Sequence, residues 1–239
     1  MSKKNNSKFK IYPLKIEEPK RKIKINEDFP MSVPGISLVC APVRTGKTCL
    51  VSNILIREEM LNVFDEVYVY SPVVFNCKSS KWIREHFNCN AEYSDASLQA
   101  ILNKQNEYVK NNNIENRPSI CIFFDDCVNM FKNNSLAVKI SSMYRHYGID
   151  QIIFSIQKYK GIPPTIRANI STLILLAPNN NTKQLEQIND ELDCFGGYDN
   201  FIRLFNEATK NQERYNFLLA QIDYSPPKIW SNFDKVIQG

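Results

Sequence analysis

The chain has 239 residues, 43% of them hydrophobic, and a formal net charge of +5. That supports one sizeable globular domain with small attachments, while no run reaches the ~18 apolar residues of a membrane span and the polar, basic residues 1–10 do not read as a secretory signal. Seven cysteines at 40, 49, 77, 89, 121, 127 and 194, without a Cys-x-x-Cys pair and with only two histidines, argue against a disulfide framework or a zinc site and for a reducing, intracellular compartment.

Residues 1–33 read as a basic N-terminal arm, and residues 34–239 as the folded domain. Within residues 1–26 nine basic side chains face two acidic ones, a net +7 that leaves −2 for the remainder. Such an arm suits a polyanion, nucleic acid above all, or serves as a solvated tail. Isolated apolar residues (Phe9, Ile11, Leu14, Ile16) and Pro13, Pro19, Pro30 and Pro34 predict an extended path, with at most one edge strand.

The first buried strand is expected over residues 35–40, followed by Ala41-Pro42-Val43-Arg44-Thr45-Gly46-Lys47-Thr48-Cys49 and a helix from Lys47 to about Met60. A short apolar strand, a tight loop ending in Gly-Lys-Thr and a helix are the parts of a phosphate-binding loop, with Ala41 at the usual first glycine. Backbone N–H groups of the loop and the helix's first turn would cradle the phosphates. Gly46 would allow close approach, Lys47 would place a charge on the β- and γ-phosphates, and the Thr48 hydroxyl suits Mg²⁺. The bland alternative is an ordinary strand-to-helix turn.

The next strand is expected at 66–70, a short helix at 82–87, and a longer helix at 95–109 with Asp95 as its N-cap. Ser119-Ile120-Cys121-Ile122-Phe123-Phe124 reads as a central parallel strand covered on both faces. It delivers Asp125-Asp126, the Walker B arrangement: Asp125 opposite Thr48 for Mg²⁺, and Asp126 as the general base toward water. In isolation the pair also fits a helix N-cap or a turn. The 78-residue separation of Lys47 from Asp125 leaves room for an extra strand between the two motif strands, as in ring and motor ATPases.

A helix is expected at 134–147, a strand at 151–156 and then Gln157, placed to orient water or sense the γ-phosphate. A short helix near Pro163, a strand at 172–177, helices to Leu192 and over 201–208, and a last strand at 215–222 complete the chain. Arg145 and Arg167 are candidates for a charge on the γ-phosphate, in cis or from a neighbouring subunit. Their plain alternatives are a helix-terminal charge and a surface salt bridge. The alternation predicts an α/β sheet, mostly parallel, with function at the strands' C-terminal ends.

Taken together, the Ala-x4-Gly-Lys-Thr loop, the Phe-Phe-Asp-Asp strand end, the linked segment Gly148-Ile149-Asp150-Gln151-Ile152-Ile153-Phe154-Ser155-Ile156-Gln157 and the following Ile162-Pro163-Pro164-Thr165-Ile166-Arg167-Ala168-Asn169 resemble the genome-packaging ATPases of the FtsK–HerA superfamily. The resemblance is to the poxvirus-type branch found in large double-stranded DNA viruses and their virophages. It implies a RecA-like (ASCE) P-loop NTPase core, with helices on both faces of the sheet, that forms a homo-oligomeric ring of about five or six subunits. That ring would use ATP and Mg²⁺ to drive double-stranded DNA into a capsid, with capsid or portal partners, in the host cytoplasm (the virus factory) or on the virion. By motif match Lys47, Thr48, Asp125, Asp126 and Gln157 take the family roles, and Arg167 is the candidate trans-acting finger. The departures are Ala41 for glycine, Pro42 without an N–H, and Asp126 where many relatives carry Glu. Two other readings stand beside this one: a P-loop small-molecule kinase, which would need an arginine-rich lid, and a nucleotide-binding scaffold without turnover.

Overall fold

A computed structural model describes residues 28–57, 62–111, 113–131, 135–178, 181–210 and 215–238. Nine strands form one sheet: β1 (Gly35–Cys40), β2 (Glu66–Tyr70), β3 (Asn88–Asn90), β4 (Ile120–Asp125), β5 (Gln151–Ile156), β6 (Thr172–Leu176), β7 (Phe217–Gln221), β8 (Lys228–Ser231) and β9 (Lys235–Gln238). Their order is β3-β2-β4-β5-β1-β6-β7-β8-β9. The first six strands in that row pair in parallel, and β7, β8 and β9 join antiparallel. The central strands β1, β4, β5 and β6 are buried along their whole length, which is why they read as continuous apolar runs rather than alternating ones.

Helices cover both faces. On one face lie α1 (Lys47–Ile56) and α2 (Lys81–His86); Leu50, Val51, Ile54, Leu55 and Ile83 pack there on Val39, Phe123 and Ile153. On the other lie α3 (Asp95–Lys110), α4 (Leu136–Ser141), α5 (Pro164–Arg167), α6 (Thr182–Leu192) and α7 (Tyr198–Ala208). They cover an apolar layer in which Phe124 stacks on Tyr70 (5.3 Å) and on Phe154 (5.1 Å). Burying both faces of a sheet this wide is the dominant stabilising term of such a fold.

Most of the expected arm, residues 1–27, lies outside the described residues. Of its remainder, Phe29 and Met31 are buried against the α1 face.

Several element boundaries differ from those expected. The α1 helix stops at Ile56, with Arg57 extended, instead of reaching Met60. In its last turns Ser52 Oγ and Asn53 Nδ2 donate to the Thr48 and Cys49 carbonyls (2.7 and 2.8 Å), bonds that compete with regular helix. The N-cap of α3 is Ser94, not Asp95: Ser94 is extended and its Oγ accepts the Ser97 N–H at 3.1 Å. Asp95, at the first helical position, accepts the Leu136 N–H (2.9 Å) and so fastens α4 instead.

The helix expected over 134–147 ends at Ser141. The Ser141 and Ser142 hydroxyls return to the Val138 and Lys139 carbonyls, and the chain continues in three-residue turns up to Gly148 at φ +72°. Downstream, β7 is not the last strand. The short β8 and β9, which follow Pro226-Pro227, were hidden by their length.

The 78-residue separation of the two motifs does hold additional strands, β2 and β3. In the sheet these lie on the far side of β4, and the strand between the two motif strands is β5, from beyond Asp125.

Candidate active site

Parallel pairing sets the ends of three strands at one level. Asp125 on β4 lies opposite Ser155 on β5, and Ser155 lies opposite Val39 on β1. The loop after β1, the acids after β4 and the glutamine after β5 therefore share one edge of the sheet. The Ala41 N–H donates to the Ile156 carbonyl (3.1 Å), and the Asp126 N–H to the Ser155 carbonyl (3.1 Å), so each neighbour is pinned to β5 by its backbone.

The loop itself is built around Lys47. This side chain is only 6% exposed, and its Nζ donates to the Ala41 and Pro42 carbonyls at 2.9 and 3.0 Å. Thr45 Oγ1 donates to the same Pro42 carbonyl (2.8 Å). Ala41 keeps a negative φ and is fully buried, so a methyl group is tolerated where glycine is usual, whereas Arg44 (φ +64°) and Gly46 (φ +95°) carry the left-handed turns. Pro42, Val43 and Arg44 are exposed, as is Cys49.

Loop and acid are joined directly. Thr48 Oγ1 donates to the Asp125 carboxylate, 3.1 Å from Oδ1 and 3.0 Å from Oδ2, and Ser71 Oγ reaches Oδ2 at 3.3 Å. Asp125 is 2% exposed. Burial raises its carboxyl above the ordinary carboxylate range and Asp126 adds to this, while Ser155, Thr48 and Ser71 act in the opposite direction. The Ser155 hydroxyl makes no full hydrogen bond, so it acts on Asp125 as a nearby dipole. Beside this pair, Gln157 Nε2 donates to Asp126 Oδ2 at 3.3 Å. Asp126 itself adopts φ +52°, a strained backbone of the kind that collects at functional sites.

The arrangement fits Mg²⁺. Among the described residues no three His, Cys, Asp or Glu cluster as a metal cage, but Mg²⁺ in nucleotide sites takes one or two carboxylates or hydroxyls and otherwise phosphate and water. The Thr48 hydroxyl and a buried Asp125 carboxylate in mutual contact are such a donor set.

A cleft of about 840 Å³ opens over the loop, with Lys47, Thr48 and Asp126 at one end and Ser52, Asn53, Arg57, Trp82 and Tyr215 around the rest. That volume is in the range of small-ligand sites. Trp82 and Tyr215, missed in the sequence, are 60% and 40% exposed. Tyr215, at φ +76°, lies on Gly46, where a Cβ would come 2.1 Å from its Cε1. No local motif marks either aromatic; only the fold brings them to the loop.

Neither arginine reaches the cleft in this chain. Arg145 is exposed, at the opposite edge of the sheet ahead of β5, and its Nε donates to Tyr144 Oη (3.1 Å). Arg167 is 7% exposed. It donates to Glu191 Oε1 (2.6 Å) and to the Ile162 carbonyl, and lies over the Tyr159 ring. The surface salt bridge expected for it is thus one between a buried guanidinium and a partly exposed carboxylate. It forms because the turn after β5 folds inward against α6 rather than out to solvent. Burial raises the Glu191 carboxyl, but Arg167 and Lys160 outweigh it and hold the group below its usual range.

A strand–loop–helix carrying Gly-Lys-Thr, tied through Thr48 to an acid at the end of a second parallel strand with β5 between them, defines a P-loop ATPase of the RecA-like class. The profile of the family described as "Poxvirus A32 protein" matches residues 20–223, and the chain belongs to that family. No curated protein sequence matches the chain. Among solved structures it is similar to B204, the DNA-packaging ATPase from Sulfolobus turreted icosahedral virus, at 14% identity and a TM-score of 0.57, over 83% of this chain and 98% of that one. It is similar also to the genome packaging NTPase B204 of Sulfolobus turreted icosahedral virus 2 in complex with ATP-γS, at 14% identity and a TM-score of 0.55, over 82% and 96%. A third is the pCW3 conjugation coupling protein TcpA, at 11% identity and a TM-score of 0.51, over 78% and 57%. At such identities the likeness is one of fold. No helix among the described residues is long and apolar enough to cross a membrane.

Proposed function

We propose that this protein is the ATP-hydrolysing motor that drives double-stranded DNA into a viral capsid. The observation that carries the proposal is the contact of Thr48 with the buried Asp125 carboxylate beside the Gln157–Asp126 pair, in a chain of the poxvirus A32 family.

ATP binds with its triphosphate on the loop, where the N–H groups of the loop and of α1's first turn point at the anion and Lys47 adds its charge. Thr48 and Asp125 would hold Mg²⁺, which would supply positive charge to the triphosphate. Gln157 orients Asp126, and Asp126 takes the proton of the water that attacks the γ-phosphorus. The bond to the bridging oxygen breaks, and ADP and phosphate leave. Asp is one methylene shorter than Glu, so the water sits closer to the strand end. The ring of about five or six copies, the capsid or portal contacts and a site of action in the host cytoplasm follow from the family reading.

The kinase alternative needs an arginine-rich lid, and among the described residues only Arg44 and Arg57 line the cleft. The decisive experiment is ATP hydrolysis by assembled protein with and without duplex DNA. Hydrolysis that rises with duplex DNA and is lost in both Lys47→Ala and Asp126→Asn supports the motor. Hydrolysis indifferent to DNA at low salt overturns translocation, and transfer of phosphate to a nucleoside instead of water establishes a kinase.

A further inference from the structure

A second concavity lies on the same edge of the sheet as the nucleotide cleft, beginning one residue past Gln157. It measures about 400 Å³, and Lys158, Lys160 and Lys183 surround it together with Asn181, Gln184 and Gln187. No carboxylate and no aromatic ring line it.

The fold presents these lysines deliberately. Between Lys158 and Lys160, Tyr159 is fully buried, and its backbone N–H is held by Gln184 Oε1 from α6 (3.0 Å). Anchoring the middle residue inward turns both flanking lysines outward and fixes them against the start of α6, where Lys183 stands. Asn181 caps that helix by accepting the Gln184 N–H at 3.1 Å, so both sides of the concavity are fastened to each other.

Charge in this patch opposes stability. Lys183 occupies the first turn of α6, where the helix end is already positive, and no acidic residue in that turn offsets it. Lys160 is paired with Glu191, but Lys158 and Lys183 have no ion pair among the described residues. Two like charges without a counter-charge, beside a third that is paired, make this exposed concavity a site for an external anion.

We propose that Lys158, Lys160 and Lys183 form the surface that grips the phosphate backbone of double-stranded DNA. Lysine ammonium groups, with the amide NH₂ groups of Asn181 and Gln187 beside them, donate to phosphate and sugar oxygens, contacts that position a duplex without reading its sequence. A single strand would call for exposed rings on which its bases stack, and the concavity has none. This inference rests on the motor reading above and locates its DNA contact in the folded domain rather than in residues 1–27.

The test is duplex binding by the full chain with a slowly hydrolysed ATP analogue, measured across a salt series. Lys158→Gln/Lys183→Gln keeps both stems and removes two charges. It is expected to weaken duplex binding about tenfold and to flatten the slope of log affinity against log salt by about two. Hydrolysis without DNA should stay unchanged, which confirms folding, while stimulation by duplex is lost. If wild type binds duplex and the double variant binds it with the same affinity and slope, the patch is not the DNA surface although the motor reading stands. Loss of binding on removing residues 1–27, with the double variant unaffected, overturns the proposal in the same way. Equal binding and stimulation by a single strand overturns the duplex assignment. If wild type ignores DNA altogether, it is the motor reading that fails.

Discussion

Gly46 is required by Tyr215 as much as by phosphate, and the two demands separate in Gly46→Ala. At φ +95° an alanine is strained by about 1–2 kcal/mol. Its Cβ would also stand 2.1 Å from Tyr215 Cε1 and 2.4 Å from Cδ1, far inside contact distance, and overpacking of that kind costs about 1–3 kcal/mol. Because Tyr215 is 40% exposed, its ring has somewhere to go, so the sum is about 2–4 kcal/mol. Urea unfolding without nucleotide measures this cost free of any effect on binding. In a Tyr215→Ala background the clash is gone and only the backbone strain remains, so the two substitutions should couple by about 1–2 kcal/mol. The same cost with and without the ring would refute the packing argument. A cost under about 1 kcal/mol for Gly46→Ala would refute the strain argument as well.

Asp125→Asn should make the nucleotide-free protein more stable at neutral pH while abolishing hydrolysis. The folded-state carboxyl is raised above its ordinary value, so its stabilising contribution is complete below the unfolded pKa and is lost as pH rises through the folded one. The variant's advantage in urea midpoint should therefore shrink as pH falls from 7 toward 4; a constant advantage would contradict the burial argument. Arg167→Ala removes the Glu191 bond, a carbonyl bond and the face of Tyr159, and should cost about 2–4 kcal/mol in thermal or chemical unfolding. Mixing its subunits with Lys47→Ala subunits tests the finger directly: a positioning role within its own chain predicts no recovered ATPase, and recovered activity would establish action across the interface. Gln157→Ala should lower kcat, leaving nucleotide affinity nearly unchanged, since Gln157 bonds Asp126 and not the loop; a loss confined to affinity would contradict that assignment.

Much of the centre of the fold was legible because burial on both faces writes itself as apolar runs: β1, β4, β5 and β6 were all read within a residue or two. The loop and Asp125 were legible for a related reason, since a strand's C-terminal end fixes where the next polar residue emerges. What the sequence hid were interactions between distant segments. Asp95 looks like an N-cap until Leu136 is seen to take its carboxylate, and β3 has three residues with no pattern of their own, paired in the sheet only with β2. Trp82 and Tyr215 join the cleft from opposite ends of the chain. Arg167 looked exposed because its helix is short and polar, yet Glu191 and Tyr159 draw it inside.

The sheet order connects these outcomes. Because β5 lies between β1 and β4, its single C-terminal end touches both halves of the site: the Ile156 carbonyl holds the loop at Ala41, and the Ser155 carbonyl holds Asp126. The next residue, Gln157, contacts Asp126, and the one after it opens the lysine concavity. A displacement of the β5 end by the nucleotide would therefore act on loop and acid through these backbone bonds and on Lys158 through the chain itself. The two arginines lie outside this connected unit, Arg145 on the opposite edge of the sheet and Arg167 locked behind Tyr159. Among the described residues, a guanidinium near the γ-phosphate can come from the cleft's own Arg44 or Arg57, and mixing Arg44→Ala/Arg57→Ala subunits with Lys47→Ala subunits separates a role within the chain, which predicts no rescue, from one across the interface.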